Sequence, residues 1–86
     1  MTKASVVAYA LKGIIKEKGW DDYIDVHSIG FSEVAIGFPS YIDKKVELDI
    51  LYSAKAIVEA VETPNDLITI KKVDIKDITK DQTLWR

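Results

Sequence analysis

The sequence predicts a small α+β domain with the element order α-β-β-β-α-β, in which two helices pack on one face of a mainly antiparallel sheet. Three observations support this prediction: an apolar stripe at helical spacing near the amino terminus, alternation with period two from residue 23, and turn residues between the segments. At 86 residues the chain forms one domain, 1–86. Residues 76–86 lack a clear period, and we expect them to form a loosely docked tail.

The first helix is predicted over residues 3–18. Its apolar positions recur at helical spacing: Val7, Leu11, Ile14 and Ile15. Gly19 follows the last of these positions, where a helix end requires a left-handed residue. We therefore expect the helix to end at Gly19, with Trp20 packing back on Ile15.

The next segment is predicted to be a β-hairpin with one apolar and one polar face. From Tyr23 the apolar positions alternate with polar or small ones: Ile24, Val26, Val34, Ile36 and Phe38. A turn near residues 28–32 separates the two strands. Pro39 cannot donate a hydrogen bond to a ladder, so we expect the second strand to end there.

The polar face of the hairpin carries the only histidine of the chain. We expect Ser28 to lie opposite Ser32, which places His27 opposite Glu33 with Asp25 beside them. Two carboxylates and an imidazole form a ligand set that zinc or nonhaem iron accepts, and a metal-dependent enzyme is one hypothesis. The interpretation we prefer is a solvated sheet face, because alternating charges are typical of such faces.

The segment KKVELDILYSAKAIVEAVETP has two interpretations. In the preferred one, residues 45–52 form a third strand and Ser53 caps a helix that ends before a proline. In the alternative, residues 42–62 form one long helix and the order becomes α-β-β-α-β. That helical stripe would contain Glu47 and leave Leu48 outside it.

A last strand is predicted over residues 67–75. Its apolar residues change parity along the strand, and a bulge near Lys71 and Lys72 would allow all four to be buried: Ile68, Ile70, Val73 and Ile75. Lysines at this position also suit an exposed edge strand, where charge discourages pairing with another chain.

Composition and motifs exclude several chemistries. The chain has no cysteine, which excludes disulfides, thiolate zinc sites and a cysteine nucleophile. Its four glycines form no phosphate-binding loop, and its serines have no nucleophile-elbow context. No cofactor is predicted, and we do not expect an autonomous enzyme. Without an uncharged run long enough to span a bilayer, the chain is expected to be soluble and cytoplasmic.

The net charge of −2 conceals an uneven distribution. Residues 1–19 carry four lysines and one glutamate, whereas residues 20–66 carry ten acidic residues and three lysines. Arg86 is the only arginine, which disfavours nucleic acid as a partner because bidentate recognition of phosphates needs arginine. The acidic middle suggests an alternative, a decoy surface that binds a nucleic-acid-binding protein.

A helix, three antiparallel strands and a second helix is also the order of the double-stranded-RNA-binding domain. A nucleic-acid-binding domain of that topology is therefore a further alternative. The lysine-rich start of that domain's last helix is missing here, where the chain reads SAKAIVEAVE. The resemblance is limited to topology, and topology does not assign a function.

We expect a small non-catalytic binding or regulatory protein that acts through a protein partner or through a homodimer. Small residues on the second strand, flanked by apolar bulk, would form a flat interaction surface: Tyr23, His27, Ala35, Gly37, Leu51 and Trp85. Leu84 and Trp85 either anchor the tail on the sheet or dock on a partner. The frequent use of Lys, Ile and Asp suits an AT-rich genome, such as that of a phage or an archaeon.

Overall fold

A computed structural model of the chain describes residues 3–61 and 67–76. Two helices and three strands follow one another in the order α-β-β-α-β: α1 Lys3–Glu17, β1 Asp25–Ile29, β2 Glu33–Phe38, α2 Lys44–Val61 and β3 Thr69–Asp74. No helix in the described ranges is long and apolar enough to cross a membrane. Of the predicted tail, all residues after Lys76 lie outside the described ranges, including Leu84 and Trp85.

Helix α1 ends as the sequence predicts. Gly19 has a φ of 78°, the left-handed conformation that glycine adopts at low cost. Its N–H donates to the carbonyl of Lys16 at 3.0 Å, and the N–H of Trp20 donates to the carbonyl of Ile15 at 3.0 Å. These two hydrogen bonds form a Schellman motif, and Trp20 packs against the core as the hydrophobic contact of that cap.

Residues 44–61 form a single helix, so the third strand predicted over 45–52 is wrong and the alternative of one long helix is confirmed. Asp43 caps this helix, because its Oδ1 accepts the backbone N–H of Lys45 at 2.8 Å. The short alternation that suggested a strand is overridden by a longer buried stripe at helical spacing: Ile50, Ala54 and Val58. A strand would have placed the buried residues Glu47 and Ile50 on opposite faces of a sheet.

The three strands form one mixed sheet in the order β1-β2-β3. Strands β1 and β2 are antiparallel, but β2 and β3 are parallel, so the prediction of a mainly antiparallel sheet is wrong. The reason is α2. A long helix carries the chain back along the sheet, so that β3 starts beside the beginning of β2 and runs in the same direction.

The hairpin register differs from the predicted one by two residues. A turn at 30–32 makes Ile29 the partner of Glu33, and His27 lies opposite Ala35 instead of opposite Glu33. Gly30, with a φ of 62°, supplies the left-handed residue of this turn. A shift of two residues conserves parity, which explains why the apolar residues keep their predicted face.

Strand β3 pairs with β2 without interruption, so the bulge predicted at Lys71 and Lys72 is wrong. As a result Ile70 packs against the core, whereas Val73 falls on the other face of the sheet.

The core combines residues of both helices with alternate residues of the sheet. Helix α1 contacts α2, β1 and β2. The buried cluster contains Ala4, Val7, Ala8, Leu11, Ile15, Ile24, Val26, Val34, Ile36, Phe38, Ile50, Ala54, Val58 and Ile68. Each helix therefore commits one face to this cluster.

Candidate functional site

The structure divides the predicted metal ligands between two separate interactions. Nε2 of His27 lies 3.0 Å from Oδ2 of Asp25, on the same face of β1. The other carboxylate oxygen of Asp25 accepts the backbone N–H of Val26 at 2.8 Å. Oε1 of Glu33 instead lies 4.0 Å from Nζ of Lys71. Within residues 3–61 and 67–76, no group of three His, Cys, Asp or Glu side chains could hold a metal ion.

Among the described residues of the predicted interaction surface, two are buried and two pack against the core. Ala35 and Gly37 are buried in the central strand instead of exposed. Tyr23 and Leu51 pack against the core, and Leu51 lies on α2 instead of on a strand beside the sheet face. His27 is engaged with Asp25, and Trp85 lies outside the described residues.

The structure reveals a buried carboxylate for which the sequence analysis proposed no role. Glu47 is only 7% exposed, and it is the one buried charged residue in the part of the chain that the structure describes. Its Oε1 accepts a hydrogen bond from Nζ of Lys72 at 3.0 Å and lies 3.8 Å from Nζ of Lys44. A carboxylate removed from water needs such partners. The pair joins the start of α2 to β3.

A cleft of about 260 Å³ lies beside this pair, at the carboxyl ends of β2 and β3. Parallel sheets often bind ligands at such a position. The lining combines apolar and polar groups: Phe38, Pro39, Ser40, Ile42, Glu47, Lys72, Val73 and Asp74. The carboxylate of Glu47 is already satisfied by lysine, and most ligand cavities exceed roughly 300 Å³. We therefore assign the Glu47–Lys72 pair the role of fastening α2 to the sheet.

The opposite side of α2 exposes apolar side chains to solvent. Leu48 is 38% exposed and Tyr52 is 69% exposed. They are four residues apart, so they lie on the same side of the helix. We define the outer face of α2 as the exposed residues on this side: Lys45, Leu48, Tyr52, Lys55, Ala56 and Glu59.

Electrostatic contacts within the chain reach the border of this face but do not cover it. Oδ2 of Asp49 accepts a hydrogen bond from Nζ of Lys18 at 2.8 Å, which ties the end of α1 to α2. The same ammonium group stands 5.4 Å from the ring centroid of Trp20. In the described residues Lys45, Lys55 and Glu59 form no ion pair with one another or with other side chains. The charges of the outer face are thus available to a partner.

Other large apolar side chains are exposed on separate elements. Phe31 lies in the hairpin turn, Tyr41 in the turn before α2, and Leu67 ahead of β3. Val6 and Tyr9 are exposed on α1. Single exposed apolar residues are normal in soluble proteins. The outer face of α2 differs because its apolar residues are bordered on both sides by charged residues of both signs.

Fold alone does not assign a function to this arrangement of two helices and a three-stranded sheet. No protein-family model, no curated protein and no solved structure matches this chain.

Proposed function

We propose that the protein is a small non-catalytic binding protein that acts by protein–protein contact, and that the outer face of α2 is its contact surface. The observation that carries this proposal is the exposure of Leu48 and Tyr52, at 38% and 69%, on a helix whose other large apolar residues turn inward. Tyrosine is enriched at interfaces, since it combines a large apolar ring with a hydrogen-bonding hydroxyl.

The packing of the helices supports this assignment. We infer that both helices lie on one face of the sheet, because their buried residues share one cluster with Val26, Val34 and Ile36. With its inner side committed to that cluster, α2 can recruit a partner only through its outer face. A partner there would cover apolar surface without disturbing the core.

The ionisable groups in the described residues favour a structural role over a catalytic one. Glu47 is held by Lys72, and the His27–Asp25 pair lies on a strand with the Asp25 side chain 44% exposed. A catalytic acid–base pair works best in a site that excludes water.

The acidic decoy is a weaker proposal on the same grounds. Three carboxylates of the acidic middle segment pair with lysines of the same chain: Glu33, Glu47 and Asp49. Internal pairing reduces the field that such a surface would present to a basic partner. The topology of the double-stranded-RNA-binding domain requires three strands between its helices, and this chain has two. That resemblance therefore no longer supports nucleic-acid binding.

Site-specific photo-crosslinking in the native host tests the proposed contact surface. A photoreactive phenylalanine derivative replaces Tyr52 in one variant and Tyr9, 79% exposed on α1, in the matched control. We expect a discrete crosslinked protein product from position 52 and none from position 9. No product at position 52, or the same product from both positions, would overturn the proposed function.

A second pair of variants separates a specific contact from accidental capture. Leu48→Lys adds a charge beside Tyr52 and should abolish the crosslinked product, because it disrupts the apolar centre of the face. Tyr41→Ser is the control: Tyr41 is more exposed than Leu48, at 80%, but lies in the turn before α2. The product should persist in that variant.

A further inference from the structure

We propose that the partner of the outer face of α2 is a second copy of this chain, with the two α2 helices packed antiparallel about a twofold axis at Tyr52. This inference rests on the proposed function and names its partner. The supporting observation is the order of residues along the outer face. Residues at equal distances before and after Tyr52 have side chains that complement one another in size or charge.

The apolar residues of the face are arranged symmetrically about Tyr52. Leu48 precedes Tyr52 by four residues, and Ala56 follows it by four. In an antiparallel pair that crosses at Tyr52, each residue meets the residue equally distant on the other side. Leu48 then lies over Ala56 of the second copy, where the small side chain leaves room for the leucine. The two Tyr52 rings meet at the axis.

The charged residues follow the same symmetry with opposite signs. Lys45 precedes Tyr52 by seven residues and Glu59 follows it by seven. Asp49 precedes Tyr52 by three, and Lys55 follows it by three. A twofold axis therefore sets Lys45 against Glu59 twice, and it brings Lys55 to the level of Asp49, which already binds Lys18 at the border of the face.

The same pattern opposes the other simple arrangement. In a parallel pair each residue meets its own equivalent, so that Lys45, Lys55 and Glu59 would each face a like charge. The charges thus select the antiparallel orientation and its register. Glutamate and lysine residues that flank the apolar seam also set partner orientation in coiled coils.

The size of the contact sets the strength that we expect. Residues 45–59 span about 21 Å of helix, at roughly 1.5 Å per residue. One helix pair of this length gives a small interface, and small interfaces belong to weak or transient complexes. We therefore expect a dimer in exchange with the monomer, which appears as concentration rises.

Charge exchange between Lys45 and Glu59 tests the inference by sedimentation over a concentration series. Both residues are exposed, so K45E and E59K should leave the fold intact, which melting curves would check. Each single substitution creates two like-charge contacts in the dimer, and we expect the dissociation constant to rise about tenfold or more. The double variant K45E/E59K restores opposite charges and should restore dimerisation.

A mixture of the two single variants sharpens the test. K45E carries glutamate at both positions and E59K carries lysine at both, so the mixed pair regains every opposite-charge contact. We expect the mixture to associate as strongly as the unmodified chain, although neither variant does so alone. A dimer that is indifferent to all of these changes uses another surface and overturns the inference.

Crosslinking at Tyr52 distinguishes failure of this inference from failure of the proposed function. A product of twice the mass of the chain supports both. A product with a different protein, together with a monomer at millimolar concentration, overturns the second-copy inference and leaves the proposed function standing. Absence of any product at position 52 overturns both.

Discussion

The two helices bury similar stripes but carry different outer faces. Helix α1 exposes Val6 and Tyr9 at its amino-terminal end, and Lys16 and Glu17 at its carboxyl-terminal end. Helix α1 itself begins at the partly buried Lys3, so charge is present at both of its ends. On α2 the opposite charges lie at opposite ends, on either side of Tyr52. Exposed tyrosine is therefore common to both helices, but only on α2 does an exposed tyrosine lie midway between two exposed residues of opposite charge.

The inner faces differ as well. Every buried residue of α1 is apolar: Ala4, Val7, Ala8, Leu11 and Ile15. Helix α2 buries Glu47 together with its apolar residues, and that carboxylate binds Lys72 on β3. Helix α1 is therefore held in the fold by apolar packing. Helix α2 is fastened by an additional directional contact, which fixes the orientation of its outer face.

The largest effect should come from truncating the core on either helix. Leu11 and Ile50 are both essentially buried, one on each helix. We expect Leu11→Ala and Ile50→Ala each to lower the free energy of unfolding by about 2–5 kcal/mol, from lost transfer energy and the remaining cavity. Thermal melting followed by circular dichroism measures this, with Leu48→Ala as the exposed control.

The matched pair of truncations also tests whether α2 belongs to the core to the same degree as α1. For a domain of this size, each kcal/mol corresponds to a Tm change of about 4–8 °C. Similar losses at the two positions support a single shared core. A large loss at Leu11 with almost none at Ile50 would show that α2 docks only peripherally.

A smaller effect should come from removing the partner of the buried carboxylate. Lys72→Met leaves Glu47 with only the more distant Lys44, and we expect it to destabilise the fold by about 1–3 kcal/mol. The estimate stays below that for a fully buried pair because the Lys72 side chain is 54% exposed. Adding Glu47→Leu should recover much of the loss, since both charges are then absent.

The exposed Lys18–Asp49 pair is the control for this prediction. Its side chains are 39% and 42% exposed, and Lys18→Met should cost about 0.2–1 kcal/mol. Urea unfolding of the unmodified protein, the two single variants and the double variant compares their free energies of unfolding. Equal losses for Lys72→Met and Lys18→Met would show that the Glu47 contact does not fasten α2 any more firmly than a surface ion pair.

Local signals in the sequence were sufficient to predict α1 and to predict which residues of the hairpin face the core. The cap of α1 could be predicted because Gly19 and Trp20 stand next to the helix that they close. The hairpin register could not, because both registers keep the apolar face, and the difference lies in which residues form the turn at Gly30. The two-residue shift in register places His27 opposite Ala35 instead of Glu33. For that reason the three predicted metal ligands do not converge.

The candidate site was harder to predict, although Glu47 and Leu48 both depart from the apolar pattern of the helix. In the single-helix interpretation, Glu47 lay inside the apolar stripe and Leu48 lay outside it. The structure gives each exception a reason: Glu47 meets Lys72, which is 25 residues away, and Leu48 belongs to the outer face. The partner of Glu47 depends on the parallel placement of β3, which no local pattern indicates. The charge symmetry about Tyr52 requires only the helix assignment.

Two glycines, one inside α1 and one just after it, should respond to the same substitution in opposite ways. Gly13 lies inside the helix, and a Cβ there would meet nothing within 4 Å. We expect Gly13→Ala to stabilise the fold by about 0.5–1 kcal/mol, because alanine loses less backbone entropy on forming a helix.

Gly19 is equally open to a Cβ, but its φ of 78° penalises any residue other than glycine. Gly19→Ala should destabilise the fold by about 1–2 kcal/mol, the cost of the left-handed conformation for an L-residue. Urea unfolding of the two variants compares them directly. Because neither site offers a steric clash, opposite signs would assign the difference to backbone conformation alone. If both substitutions stabilise, the left-handed backbone at residue 19 does not carry the expected cost.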